Sequence, residues 1–111
     1  MQIEHWNPAR DGKLSEAEMR RKLEVRGYQV TKYIYPPGTY FAAHDHGVDK
    51  IDAVLSGRFR MTMGTESLVL QPGDLLAVPK HVVHSAEVVG DQPVVSLDAV
   101  RPAQEVTTHF T

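Results

Sequence analysis

The 111-residue chain has the composition of one ordinary folded domain, with 41% hydrophobic and 23% charged residues. A formal net charge of −2, without a long basic run, argues against nucleic acid or an anionic membrane as its main partner. The absence of cysteine excludes disulfides, thiolate metal sites and cysteine nucleophiles. Because no signal-like N-terminus or membrane-length apolar run is present, we predict a soluble, cytoplasmic protein.

The first 27 residues are predicted to form an N-terminal extension with one short helix. Residues 1–13 are rich in turn-forming side chains. Ser15 is followed three residues later by Glu18, which is a capping-box pattern, and Gly27 is a natural helix stop. These signals predict a helix over about 15–26.

From residue 28 onward the hydrophobic pattern changes to short alternating runs separated by Gly and Pro turns. Many short strands at this spacing predict an all-β, antiparallel barrel or double-sheet sandwich rather than βαβ units. We expect the strands to occupy residues 28–100 and the rest, 101–111, to be an extended C-terminal tail that packs on a partner. The whole chain, 1–111, is predicted to be a single domain.

Three histidines are the strongest chemical signal. His44 and His46 are two residues apart on a predicted strand, so both imidazoles can point to one face. His84, on a separate strand, supplies a third. Three imidazoles form half of an octahedral metal shell or most of a tetrahedral one, so the sequence predicts a metal site.

The strand that follows the first histidine pair has two different faces. Lys50 and Asp52 lie on the face predicted to look into the barrel, whereas Ile51, Ala53 and Leu55 lie on the other. An exposed apolar face of this kind usually meets another subunit, which predicts a homodimer.

The two histidine segments resemble the motifs of the cupin superfamily, in its small single-domain form. The first segment consists of Gly38, five residues, His44-Asp45-His46, three residues, Lys50, six residues and Gly57. The second consists of Gly73, five residues, Pro79-Lys80-His81, two residues, His84, three residues and Val88. This resemblance, from about Tyr28 to Val100, implies a jelly-roll β-barrel that holds a divalent metal ion inside.

Three positions depart from these motifs. Lys50 stands where the cupin motif has the Glu that usually completes the metal shell. His81 replaces a Gly, at a backbone position expected to need a positive φ, and Val88 replaces an Asn. His tolerates a positive φ better than most residues.

Lys50 changes the chemistry expected of the site. Like charges a few ångströms apart in the barrel repel by roughly several kcal/mol at an effective dielectric constant of about 20. Lys50 must therefore turn aside, lose its proton or pair with an acid. Asp52 is the acid we expect either to pair with it or to bind the metal itself. The remaining alternative is a metal-free pocket in which Lys50 binds an anionic ligand.

The resemblance implies one divalent ion, which is Fe, Mn, Ni or Zn, and a small-molecule ligand. It also implies either a metal-dependent oxygenase, isomerase or decarboxylase, in which Lys50 acts as an acid or orients a substrate carboxylate, or a non-catalytic barrel that senses or binds a small molecule. The residues expected to line the pocket are Tyr40, Phe59, Met61, Met63 and His81.

Overall fold

The computed structural model describes residues 1–102, which form two antiparallel sheets and two helices. The helices are α1 (Pro8–Asp11) and α2 (Glu16–Val25). The strands are β1 (Ile3–His5), β2 (Gln29–Tyr35), β3 (Tyr40–His44), β4 (Lys50–Ser56), β5 (Phe59–Met63), β6 (Glu66–Leu70), β7 (Asp74–Val78), β8 (His84–Val88) and β9 (Val94–Val100). The predicted C-terminal tail lies outside the described residues from position 103 onward.

Helix α2 occupies the place of the helix expected from the sequence. The Ser15 hydroxyl accepts a hydrogen bond of 3.1 Å from the backbone N–H of Glu18, which caps the helix. The segment predicted as a turn-rich connector contains the additional four-residue helix α1, capped by the Asn7 side chain with Pro8 at its first position. Within residues 1–102, neither helix is long and apolar enough to cross a membrane.

The two sheets face each other as an antiparallel jelly roll, which confirms the predicted all-β fold. The large sheet has the order β1-β7-β4-β9-β2, and the small sheet has the order β3-β8-β5-β6. Alternate side chains of each strand point into the space between the sheets. The buried apolar side chains there are Val54, Phe59, Met61, Leu70, Leu76, Val78, Ala86, Val88 and Val94.

A second core lies on the outer face of the large sheet. Ile51 and Ala53 point outward from β4, as predicted, but Met19 and Leu23 of α2 cover them, and all four side chains are buried. Leu55 and Trp6 are partly buried against the same core. The prediction that this face is exposed was therefore wrong, because the N-terminal extension of the same chain buries it. The homodimer was predicted from this apolar face, so the structure removes the basis of that prediction.

Candidate metal centre

Three histidines converge at one end of the space between the sheets. His44 ends β3 and lies directly opposite His84, the first residue of β8. His46 follows the end of β3, so it does not belong to the strand as the two-residue spacing had suggested. The ring centroids are 4.4 to 5.2 Å apart, and one potential ligand atom from each ring lies within 4.8 Å of the other two. Such a cluster has the size of a metal-coordination shell.

Hydrogen bonds to the backbone fix the orientation of two of these imidazoles. Nδ1 of His44 lies 2.7 Å from the carbonyl oxygen of Ala42, and Nδ1 of His84 lies 2.9 Å from that of Val82. A carbonyl oxygen only accepts, so each Nδ1 carries the proton and donates it. Each Nε2 is then left with a free lone pair, as a metal ligand requires.

The surroundings favour the neutral form of two of the imidazoles, His46 and His84. Burial lowers the pKa of His46, and the positive charge of Lys50 lowers it further. Burial is also the main cause of the lowered pKa of His84, although its hydrogen bond to Val82 opposes the shift. Because a metal competes with protons for the same lone pair, a lowered pKa keeps these two side chains available as ligands near neutral pH.

The triad opens into a cavity of about 180 Å³ between the two sheets. Its lining combines apolar side chains with the three histidines and three charged residues. The lining residues are Tyr35, Phe41, His44, His46, Lys50, Asp52, Phe59, Met61, His84, Ala86 and Asp98. A cavity of this size has room for a small organic molecule beside the imidazoles.

Of the other residues predicted to line the pocket, some line this cavity and some lie outside it. Phe59 and Met61 line it, whereas Met63 lies beside a separate surface groove. Tyr40 is 64% exposed, and Phe41 lines the cavity instead. An irregularity between Phe41 and His44 shifts the register of β3 against β8 by one residue, so the two-residue period that paired Tyr40 with His44 fails there.

His81 lies on the exposed rim, beside the His46 loop. Its φ is +64°, as expected for a position where the motif has Gly. Its backbone N–H donates a hydrogen bond of 2.7 Å to the carbonyl of His46, and its ring Nδ1 is 3.5 Å from a carboxylate oxygen of Asp45. The backbone of His81 therefore supports the loop that carries a triad histidine.

Lys50 pairs with an acid that the sequence did not indicate, although it lines the same cavity as the triad. Its Nζ lies 2.9 Å from Oδ1 and 3.1 Å from Oδ2 of Asp98, and it donates a hydrogen bond to Oδ2. Asp52, the partner expected from its phase on the strand, makes no such contact. Asp98 is on β9, next to β4 in the sheet, and only the tertiary pairing of these strands brings the two side chains together.

Asp52 lies directly opposite Asp98 in the register of β4 and β9, and both line the cavity. It is 9% exposed and forms no side-chain hydrogen bond or ion pair with residues 1–102. Burial raises its pKa to about 6, an effect that Asp98 increases and Lys50 opposes. The close group of potential ligand atoms consists of the three imidazoles and does not include Asp52.

The fold and the site together define a double-stranded β-helix protein with a three-histidine candidate metal centre inside it. Residues 31–100 match the cupin domain family, and the chain belongs to that family. Among curated proteins, none matches the chain.

Several solved structures share this fold. The DMSP lyase DddQ from Ruegeria pomeroyi DSS-3 is 25% identical, with a TM-score of 0.62 over 75% of this chain and 41% of its own. A double-stranded β-helix domain protein from Klebsiella pneumoniae is 26% identical, with a TM-score of 0.59 over 68% of this chain and 64% of its own. A cupin-2 domain protein from Shewanella frigidimarina is 19% identical, with a TM-score of 0.59, 89% coverage of this chain and 83% of its own.

Proposed function

We propose that this cupin binds one divalent metal ion through His44, His46 and His84 and acts as an enzyme on a small organic substrate. The observation that carries the proposal is the convergence of three potential ligand atoms within 4.8 Å at the wall of the cavity between the sheets. Two of the imidazoles are already oriented by backbone carbonyls, so little side-chain entropy is lost on binding. Iron, nickel and zinc suit imidazole ligands, and manganese suits them less strongly.

The chemistry that such an ion supplies is Lewis-acid activation of a bound oxygen, or redox chemistry if the ion is iron. The cavity favours a reaction in which a proton moves. Asp52 lines the cavity and has no side-chain partner among residues 1–102, and its pKa of about 6 suits an acid or base near neutral pH. Lys50, the predicted catalytic residue, is neutralised by Asp98, so proton transfer is assigned to Asp52.

The likeness to a DMSP lyase, at 25% identity, is compatible with an elimination, and the isomerase and decarboxylase types expected of the family also move protons. Because this chain spans 41% of that lyase, the lyase's substrate is not carried over. The substrate proposed here is defined by the cavity as a small molecule with a metal-binding oxygen and an apolar part. The apolar part would lie against Phe41, Phe59 and Met61.

Elemental analysis tests the metal site. Untagged protein, His84→Ala and His81→Asn are purified in parallel and incubated with Fe(II), Mn(II), Ni(II) or Zn(II). His81→Asn is the matched control, because it removes a nearby exposed imidazole while retaining a residue that tolerates positive φ. We expect near-stoichiometric metal in the parent and the control, and little in His84→Ala. Absence of metal in all three would overturn the proposal and favour the metal-free barrel with an anionic ligand.

Turnover separates the enzyme from a binding barrel. The metal-loaded protein is incubated with a panel of small hydroxy, keto and unsaturated acids, and proton exchange with D₂O is followed by NMR. We expect exchange or conversion of at least one compound, and its loss in Asp52→Asn with metal content unchanged. Binding of a panel compound without exchange or conversion would favour a non-catalytic sensing or sequestering barrel.

A homodimer and a cytoplasmic location remain predictions. The outer face of β4 is buried by α2, so no interface is assigned to the dimer. Light scattering at micromolar concentration decides the assembly, and a monomer mass would exclude the dimer.

A further inference from the structure

We infer that Asp98 is a positioning residue that holds the Lys50 ammonium against the large sheet and so keeps the three-histidine site able to take a cation. The inference rests on the proposed metal site and explains how that site tolerates a lysine. The triad belongs to the side of the small sheet, at the ends of β3 and β8, whereas Lys50 and Asp98 belong to β4 and β9 of the large sheet. The two groups share one cavity.

The contact between Lys50 and Asp98 is close and largely shielded from water. The Lys50 side chain is 11% exposed and that of Asp98 is 20% exposed. Oδ1 of Asp98 is buried and makes no hydrogen bond with residues 1–102, although the ammonium lies 2.9 Å from it. Burial removes part of the hydration of both groups, and the contact between them offsets that loss.

Lys50 and the three imidazoles line the same cavity, so the positive charge of Lys50 acts on the triad. The same positive charge would repel a divalent ion at the imidazoles, and at this burial the repulsion is weakly screened. The negative charge of the paired Asp98 carboxylate offsets the positive charge of Lys50.

Asp98 is the residue that makes Lys50 compatible with a cation site, because the ion pair holds the ammonium on the large-sheet side of the cavity. Without the carboxylate, the ammonium would be free to approach the imidazoles.

A double-mutant cycle on metal affinity tests this inference. Zn(II) dissociation constants are measured at pH 7.5 by competition with a chromophoric chelator for the parent, Asp98→Asn, Lys50→Met and the double variant. We expect Asp98→Asn to bind Zn(II) at least tenfold more weakly than the parent. In the Lys50→Met background, Asp98→Asn should weaken Zn(II) binding by less than threefold. Lys50→Met itself should bind Zn(II) at least as tightly as the parent.

Each result has a definite meaning. A parent that fails to bind Zn(II) and the other three ions overturns the proposed metal site and this inference with it. A parent that binds while Asp98→Asn binds equally well overturns the inference alone, as does an equal loss in both backgrounds. Circular dichroism shows whether Asp98→Asn folds. If it does not, Lys50→Met decides, because tenfold weaker binding in that variant would make Lys50 a contributor to the site and overturn the inference.

Discussion

The backbone N–H of His81 donates a hydrogen bond of 2.7 Å to the carbonyl of His46, while His81 itself has a φ of +64°. One strained rim residue is thereby tied to the loop that carries a triad histidine. The bond uses only backbone atoms, so the imidazole of His81 is not needed for it. What the position requires is a residue that accepts a positive φ.

This requirement predicts different outcomes for two substitutions at His81. His81→Val should lower the free energy of unfolding by about 1–2 kcal/mol, because a β-branched residue is strained in the left-handed region. His81→Gly should unfold at a free energy close to the parent's, since Gly adopts this backbone without strain. Urea denaturation of both variants checks the prediction, and equal loss in the two would mean that the imidazole itself stabilises the rim.

Lys50→Glu should restore the motif carboxylate and lower the stability of the metal-free protein. The change places a third carboxylate beside Asp98 and Asp52 and breaks a buried ion pair, so the metal-free protein should lose about 3 kcal/mol of unfolding free energy. Zn(II) should bind more tightly than to the parent and recover much of this loss. Thermal unfolding with EDTA and with Zn(II) measures both effects.

The control for that experiment is Lys13→Glu, which makes the same charge change at an exposed position away from the cavity. This control should change neither the unfolding free energy of the metal-free protein nor its Zn(II) affinity by more than a small amount. If Lys50→Glu behaves like Lys13→Glu, the Lys50 side chain does not face the site in solution.

The raised pKa of Asp52 predicts that this carboxyl lowers the free energy of unfolding as the pH rises, and that Asp52→Asn removes this loss. The folded protein holds the proton up to about pH 6, whereas an unfolded chain releases it near the usual 3.8. Below 3.8 both states are protonated and the cost is absent; it grows as the pH rises to 6 and is complete above that. At pH 7.5 with EDTA, Asp52→Asn should therefore be more stable than the parent by about 2–3 kcal/mol.

The measurement is urea denaturation at pH 3.5 and at pH 7.5, with Asp91→Asn, an exposed turn residue, as the control. The advantage of Asp52→Asn should shrink strongly at the lower pH, while the control should show no difference at either. An advantage of the same size at both pH values would contradict the raised pKa.

Gly57, the last residue of the first motif, should not tolerate a side chain. Its φ is +81°, and a Cβ there would lie 2.4 Å from the carbonyl oxygen of Pro93. Gly57→Ala should therefore cost about 1–2 kcal/mol for the backbone conformation, with a further loss for the clash with a backbone atom that cannot move freely. Gly64→Ala is the matched control, because its φ is +58° but a Cβ there would have no atom of residues 1–102 within 4 Å apart from its chain neighbours. Equal costs in urea denaturation would rule out the close contact with Pro93.

The sequence alone was sufficient for features that depend on local chain geometry. The two-residue alternation and the frequent Gly and Pro turns predicted the all-β fold, and the inward face of Lys50 and Asp52 followed from the same period. The spacing of His44, His46 and His84 in two motifs indicated the triad before any strand pairing was known. The capping pattern of Ser15 and Glu18 located α2.

The tertiary structure decided whatever depends on which strand lies beside which. Asp98 meets Lys50 because β9 pairs with β4, and no local pattern encodes that register. Because of the one-residue shift in β3, Phe41 and not Tyr40 lines the cavity. Helix α2 buries the outer face of β4, which the alternation alone predicted to be exposed. Periodicity fixes the direction of a side chain from its own strand, but its neighbours come from segments distant in the chain, and their packing determines the final contacts.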